Sequence, residues 1–279
     1  MTAKETVADA LREATAKLGT DWARDEAEML MAHALGVTRG AMLLKHTRDA
    51  VPAGFAAMLS RRLAEEPVGY IIGEVEFYGR RFAVTPDVLI PRGDSEATLA
   101  AALEAAPASR RILDCGTGSG CLLLSLLAER PATTGIGIDR SPAALAVASA
   151  NARTLGVSHR AELCEADWTK TGWAAGLGKF DLVIANPPYV EDGAELDASV
   201  RDFEPAGALF AGPEGLEAYR VLIPQLPDLL APGGVAVFEI GYRQAEAVSA
   251  IAEGAGFTTQ LHRDLAGRDR ALILHRSCG

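Results

Sequence analysis

Four consecutive residues, Asn186-Pro187-Pro188-Tyr189, carry the most pointed chemistry in this chain. Two prolines in a row fix their own φ, remove two backbone donors and push the residue before each away from helix. The result is a stiff turn whose carbonyls no ladder claims. The Asn186 side chain and the Pro187 carbonyl are then acceptors without a structural partner, and an NH2 group held between them is both recognised and oriented. The flat face of Tyr189 can pack against a planar amide or base. Asn186 and Pro187 are therefore the candidate catalytic pair, and Asn186, Pro187, Pro188 and Tyr189 the candidate substrate-binding residues. The same tetrapeptide also reads as a Pro-rich turn that only ends a strand, and the rest of the chain weighs on that choice.

A second constellation lies upstream. Gly116, Gly118 and Gly120 follow the apolar run Arg111-Ile112-Leu113-Asp114-Cys115. Glycines at a strand-to-helix turn let backbone approach a ligand and adopt unusual φ. The spacing G-x-G-x-G lacks the further residue of the dinucleotide fingerprint, and no Lys-Ser/Thr follows, so pyrophosphate is not the favoured ligand. Asp139, at the tip of the next strand, can accept from both hydroxyls of a ribose. Asp167-Trp168, at the tip of the third, offers an acceptor for an adenine amino group and a ring to lie against the base. Asp114 sits where an ammonium or sulfonium would come. Adenine, ribose, positive charge and no phosphate together describe S-adenosylmethionine, with S-adenosylhomocysteine as the product. The candidate cofactor-binding residues are Asp114, Gly116, Thr117, Gly118, Ser119, Gly120, Asp139, Asp167, Trp168 and Asn186. Taken singly, each acid also reads as a cap or turn residue.

These residues need a sheet to hold them. From Arg111 onward strands and helices alternate as in a doubly wound sheet. The predicted strands are Arg111 to Cys115, Thr134 to Ile138, Ala161 to Glu165, Phe180 to Ala185 and Val235 to Ile240, with Phe257 to His262 and Ala271 to His275 closing as a hairpin. A long insertion covers about residues 190–212, and one helix is expected from Leu216 to Leu230. The front of the chain reads differently. Residues 3–66 show helical spacing, with Gly19 and Gly36 as stops and Thr20 or Asp21 as a cap. From Val68 to Pro91, Tyr70-Ile71-Ile72 and the segments around Gly79 suggest a β-hairpin, and Val88-Leu89-Ile90 a further strand-like piece. Asp94 or Ser95 is expected to cap the helix that follows. The predicted organisation is residues 1–66 as a helical bundle, 67–91 as a linker with the hairpin, and 92–279 as the catalytic domain.

At 279 residues and 49% hydrophobic, the chain is long enough for one large domain and a small one. No apolar run reaches the ~20 residues that span a bilayer, and the N-terminus has no signal-peptide core, so a cytoplasmic location is expected. Cys115, Cys121, Cys164 and Cys278 are then reduced thiols in no zinc pattern. Cys115 and Cys121 are expected to pack as small apolar residues. His33 and His46 lack ligand-spaced companions, so no metal is expected. A net charge of −10 and a pI near 5.1 argue against a naked nucleic-acid partner. The pairs Arg61-Arg62 and Arg80-Arg81 read as solvated surface charge.

The chain resembles the HemK/PrmC family of protein-(glutamine-N5) methyltransferases over nearly its whole length. The likeness rests on Pro67-Val68-Gly69-Tyr70-Ile71-Ile72-Gly73, Phe77-Tyr78-Gly79, Val88-Leu89-Ile90-Pro91-Arg92, Asp114 to Cys121, Asn186 to Tyr189, Glu204-Pro205, Ala208-Leu209, Gly215-Leu216, Tyr219, Glu239-Ile240-Gly241, Gln244 and Asp264 to Arg270. It implies an α/β fold, a Rossmann-like class I S-adenosylmethionine-dependent methyltransferase sheet with an N-terminal helical bundle that docks the partner. It also implies methylation of the glutamine in the Gly-Gly-Gln loop of class 1 peptide chain release factors, with no membrane and no direct nucleic-acid partner. One departure is Gly93, where the family commonly has proline, and it bears on how firmly the Pro91-Arg92 loop is held. The turn at Asn186 is shared with amino methyltransferases acting on adenine or guanine in RNA or DNA, which is the alternative reading. A scaffold that kept the sheet and lost the chemistry is a third.

Overall fold

The computed structural model describes residues 5–277. Cys278 lies outside them. The chain divides into two compact units: the helical front to Glu74 together with Leu196–Phe203, and Val75–Glu195 together with Glu204 onward.

In the first unit, Val7–Leu18 begins at a capping box between Thr6 and Asp9 and ends at Gly19, the stop the sequence predicted, with φ of 64° in the left-handed region. Ala23–Leu35 ends likewise at Gly36. Its N-cap is Trp22, with no side-chain cap bond, so neither Thr20 nor Asp21 fills that role. Met42–His46 forms a turn of π-helix and Phe55–Leu63 the next helix. Val7, Leu30, Met31, Met42, Phe55 and Ile71 make the core. Two expectations fail here. Val68–Ile72 is a short helix and not a strand, because Pro67 opens it and Gly73 closes it in the left-handed region, burying Tyr70 and Ile71. Arg62 is not solvated: it is 8% exposed and pairs with Glu26 at 3.0 Å and Glu65 at 3.1 Å.

The hairpin is β1 (Glu74–Phe77) and β2 (Arg80–Ala83), turning at Tyr78-Gly79, where both residues have positive φ. The second unit is built on seven strands, with β3 (Arg111–Cys115), β4 (Thr134–Asp139), β5 (Ala161–Glu165), β6 (Phe180–Ala185), β7 (Leu230–Glu239), β8 (Phe257–Arg263) and β9 (Asp269–Arg276) in the order β5-β4-β3-β6-β7-β9-β8. Strand β9 runs antiparallel to both its neighbours, β7 and β8. Apolar runs form buried parallel strands because both faces are covered. Alternation then sends Leu113, Val183, Ala236 and Phe238 into one core cluster and Ile112, Leu182, Ile184 and Val237 into the other.

Three elements depart from the sequence reading. Val88–Ile90 is not a strand: the Val88 N–H turns back to the Thr85 carbonyl and the Ile90 N–H goes to the Glu204 carboxylate. The expected helix from Leu216 to Leu230 is split into Glu217–Leu222, a 3-10 turn Ile223–Gln225 and Leu226–Leu229, since Pro224 and Pro227 interrupt the helical bonds. Asp94 precedes the helix Ser95–Ala105 without capping it, its carboxylate being bonded to Arg270 at 2.8 Å. Among the described residues no helix is long and apolar enough to cross a membrane, and no group of His, Cys, Asp or Glu is arranged to hold a metal ion.

Candidate active site

Sheet order places the site. The chain runs outward through β3, β4 and β5, then returns to the other side of β3 with β6 and β7. The reversal falls between β3 and β6, the place where open α/β sheets take ligands beyond their carboxyl ends. Cys115 pairs with Ala185 on one side and Ile138 on the other. Gly116, Asp139 and Asn186 therefore leave adjacent strands side by side.

A cavity of about 400 Å³ opens over these strand ends, a size that suits a small organic ligand. Asp114, Gly116, Thr117, Gly118, Ser119, Asp139, Asp167, Trp168, Asn186 and Pro188 line it. Gly120, Pro187 and Tyr189 do not. Gly120 serves packing: it has φ of 82°, and a Cβ there would lie 2.7 Å from the Leu124 side chain. The Tyr189 ring is no cavity wall; it packs against the core beneath, and burial pushes its hydroxyl up to about 12.

The glycine turn is shaped for close approach. Gly116 and Gly118 have φ of 77° and 53°, and a Cβ on Gly116 would meet the Trp168 ring at 3.0 Å. The indole thus lies against bare backbone. Gly118 N–H donates to Asp139 Oδ2 at 3.0 Å and Ser141 N–H to Oδ1 at 2.9 Å, fixing the carboxylate while each oxygen keeps a lone pair. Asp167 Oδ1 accepts from the Thr169 hydroxyl and N–H at 2.7 and 2.9 Å, and these bonds hold its carboxyl below the usual range.

Asp114 is 1% exposed. Its Oδ2 accepts from the Thr117 hydroxyl at 2.7 Å, while Oδ1 is buried with no hydrogen-bond partner among the described residues. Burial, with the Asp139 charge adding to it, pushes this carboxyl up to about 7. The other charged walls are Asp87, Asp139, Asp167 and Glu217 against Arg92 and Arg140. Both arginines are engaged, Arg92 with Glu204 and Arg140 with the Gly207 carbonyl. Such a cavity suits a cation better than a phosphate. The one thiol on its wall, Cys121, is raised by burial to about 12, and Cys115, in the core beside it, well above its ordinary value.

Asn186 faces the cavity, and its side-chain amide makes no hydrogen bond among the described residues. The Pro187 carbonyl accepts none either. Sequence reasoning gave no role to Pro205, Gly207, Phe210 and Ala211, which also line the cavity, or to buried Glu204, which carries Ile90 and Arg92. The unusual length of the insertion was the available signal.

Residues 9–73 match the PrmC N-terminal domain and residues 108–256 a methyltransferase domain. A release factor glutamine methyltransferase of Cereibacter sphaeroides is 45% identical over 94% of this chain and 96% of its own. The chain belongs to the release factor glutamine methyltransferase family. Another member, from Moorella thermoacetica, is 41% identical over 99% of both chains. Among solved structures, a methyltransferase from Pyrococcus furiosus has a TM-score of 0.55 at 15% identity, covering 78% of this chain and 100% of that one. An O-methyltransferase family protein from Burkholderia thailandensis has a TM-score of 0.50 at 15% identity, covering 99% and 100%. These two share the class I methyltransferase fold, so the family assignment and the sheet agree.

Proposed function

We propose that this chain transfers a methyl group from S-adenosylmethionine to the side-chain amide nitrogen of the glutamine in the Gly-Gly-Gln loop of class 1 release factors. Residues 1–66 would dock the factor, 67–91 link, and 92–279 carry the chemistry. The observation that carries the reading is the pair of acceptors unclaimed among the described residues, the Asn186 side chain and the Pro187 carbonyl, just past the end of the strand that pairs with the one leading into the glycine turn.

The residues present fit the methyl donor. Asp114 Oδ1, buried and partnerless, lacks the cationic or N–H group that an amino acid moiety brings. Asp139 retains two acceptor positions for a diol, and Trp168 offers a flat wall beside Gly116. S-adenosylmethionine supplies, when bound, a methyl group on a positively charged sulfur.

The protein's task is to make a poor nucleophile usable, because an amide nitrogen delocalises its lone pair into the carbonyl. Asn186 and Pro187 accept the two N–H bonds and orient the nitrogen. As the nitrogen takes the methyl group, with S-adenosylhomocysteine as the leaving group, its N–H groups become more acidic, so these hydrogen bonds strengthen in the transition state, and one of the two protons then leaves to water or a carbonyl. Orientation alone contributes on the order of 7 kcal/mol or more in good intramolecular analogues. The test is labelled S-adenosylmethionine with an intact release factor, with the factor's glutamine changed, with a peptide of its loop, and with RNA and DNA. Label is expected in the intact factor, more slowly in the peptide, and not after the glutamine is changed. Label in nucleic acid, or surviving the change, would falsify the proposal.

Asp114→Asn gives opposite effects on the two partners of this site. The raised Asp114 means the native state keeps a proton that the unfolded chain releases, so stability falls as pH rises from about 4 to about 7 and is level above. Asparagine removes that slope. The ligand-free variant is expected to gain on the order of 1–3 kcal/mol at pH 8 and little at pH 4, while binding the cofactor more weakly. Thermal melts at both pH values and calorimetric titration with S-adenosylhomocysteine check this; a variant less stable at pH 8 contradicts it.

A further inference from the structure

Gln244 belongs to a motif for which the chemistry above finds no task. It is the residue before the helix Ala245–Gly254, and its side-chain amide bonds to three separate backbone segments. Nε2 donates to the Tyr189 carbonyl at 3.0 Å and to the Gly215 carbonyl at 3.2 Å, and Oε1 accepts the Gly241 N–H at 3.0 Å. Both amide hydrogens are therefore used. Gly215 presses on the same carbonyl: its φ is 68°, and a Cβ there would lie 2.3 Å from the Tyr189 oxygen. The next residue is held too, Val190 donating to the Leu209 carbonyl and accepting from Ala211 N–H, each at 2.9 Å.

The Asn186 side-chain amide and the Pro187 carbonyl make no hydrogen bond among the described residues, so the chain on either side must set their placement. Pro187 and Pro188 transmit it, because both have fixed φ. The first fixed point beyond them is the Tyr189 carbonyl. We infer that Gln244 is a positioning residue for methyl transfer, setting through that carbonyl where Asn186 and Pro187 present their oxygens to the substrate amide. Glutamine alone among the side chains has this reach with two donors and an acceptor. Glutamate would face two carbonyls with acceptors, asparagine is a methylene short, and methionine has length without polar groups.

The inference rests on the glutamine-methylation reading, and the experiment separates the two. Full-length wild type, Gln244→Glu, Gln244→Met and Gly215→Ala are assayed with labelled S-adenosylmethionine and unmodified release factor. Titration with S-adenosylhomocysteine and amide hydrogen exchange are run beside the assay. A misplacement of ~1 Å costs about 100-fold, so each variant is expected to lose kcat by about that factor. S-adenosylhomocysteine affinity should stay unchanged, with faster exchange confined to the segment around Val190. Unchanged kcat in both Gln244 variants overturns the positioning role, as does a loss of kcat matched by equal loss of cofactor binding. Wild type that leaves the release factor unlabelled overturns the functional reading, and the positioning role with it.

Discussion

Asn186→Ala is expected to lower kcat on the release factor by about 10²- to 10³-fold, the range seen when one preorganised transition-state partner is removed. The melting temperature should stay close to wild type, and S-adenosylhomocysteine binding should change far less than kcat. The reason is that the Asn186 amide bonds to nothing in the described structure, so alanine breaks no internal hydrogen bond. The neighbouring Pro187 is buried, and Ala185 still pairs with Cys115 and Phe238, so the turn keeps its frame. An interaction that strengthens only as the C–N bond forms shows itself in kcat and not in KM. Single-turnover rates with saturating factor measure this directly. Loss of less than about tenfold would mean that the Pro187 carbonyl alone orients the amide.

Glu204→Ala is expected to act on the fold. Glu204 is 5% exposed, accepts the Ile90 N–H at 3.2 Å and pairs with Arg92. Its removal strands a backbone donor and a guanidinium. Breaking a fully buried pair costs about 3–5 kcal/mol, and the partial exposure of Arg92 brings the expectation here to about 2–4 kcal/mol. For a chain of this size that is a fall of about 5–15 °C in melting temperature. Because Val88, Leu89, Pro91 and Arg92 line the cavity, cofactor affinity should fall as well. Glu204→Gln, which keeps the shape and one acceptor, should lose less. A midpoint within about 2 °C of wild type for the alanine variant would show that the loop is held without Glu204.

Gly93 illustrates the same point. The sequence left open how firmly the Pro91-Arg92 loop is held without the proline the family commonly carries. The structure shows the loop fastened by Glu204 and by turns from Ser95 N–H to Arg92 and from Glu96 N–H to Gly93. The fastening comes from a residue 112 positions away.

The misread elements have two causes. Local breakers set Val68–Ile72, which Pro67 opens and Gly73 closes, and split the helix at Pro224 and Pro227; elsewhere the deciding partner is distant, as where the Ile90 N–H goes to the Glu204 carboxylate. Asp94 looks like a cap and instead meets Arg270, 176 residues on. Asn151, in the last turn of the alanine-rich helix Pro142–Thr154, is 1% exposed and bonds both to Ala83 of the hairpin and to the Ser119 carbonyl in the glycine turn. Propensity and periodicity sense only near neighbours, and these partners are distant in sequence.

What the sequence determined by itself was local and strong. Consecutive prolines stiffen their own turn, glycines free theirs, and short strand-like runs with acids at their tips read as strands ending at a rim. That was enough to name the sheet and the methyl donor, and to offer Asn186 and Pro187 as candidate acceptors. Tertiary structure decided which of those groups stay unbonded: among the described residues it left the Asn186 side-chain amide and one oxygen of Asp114 without hydrogen bonds, packed Tyr189 against the core, and set Glu204 and Gln244 behind the loops they hold. A hydrogen bond forms only between groups the fold brings together, so whether a polar side chain serves the scaffold or remains available for chemistry is settled in three dimensions.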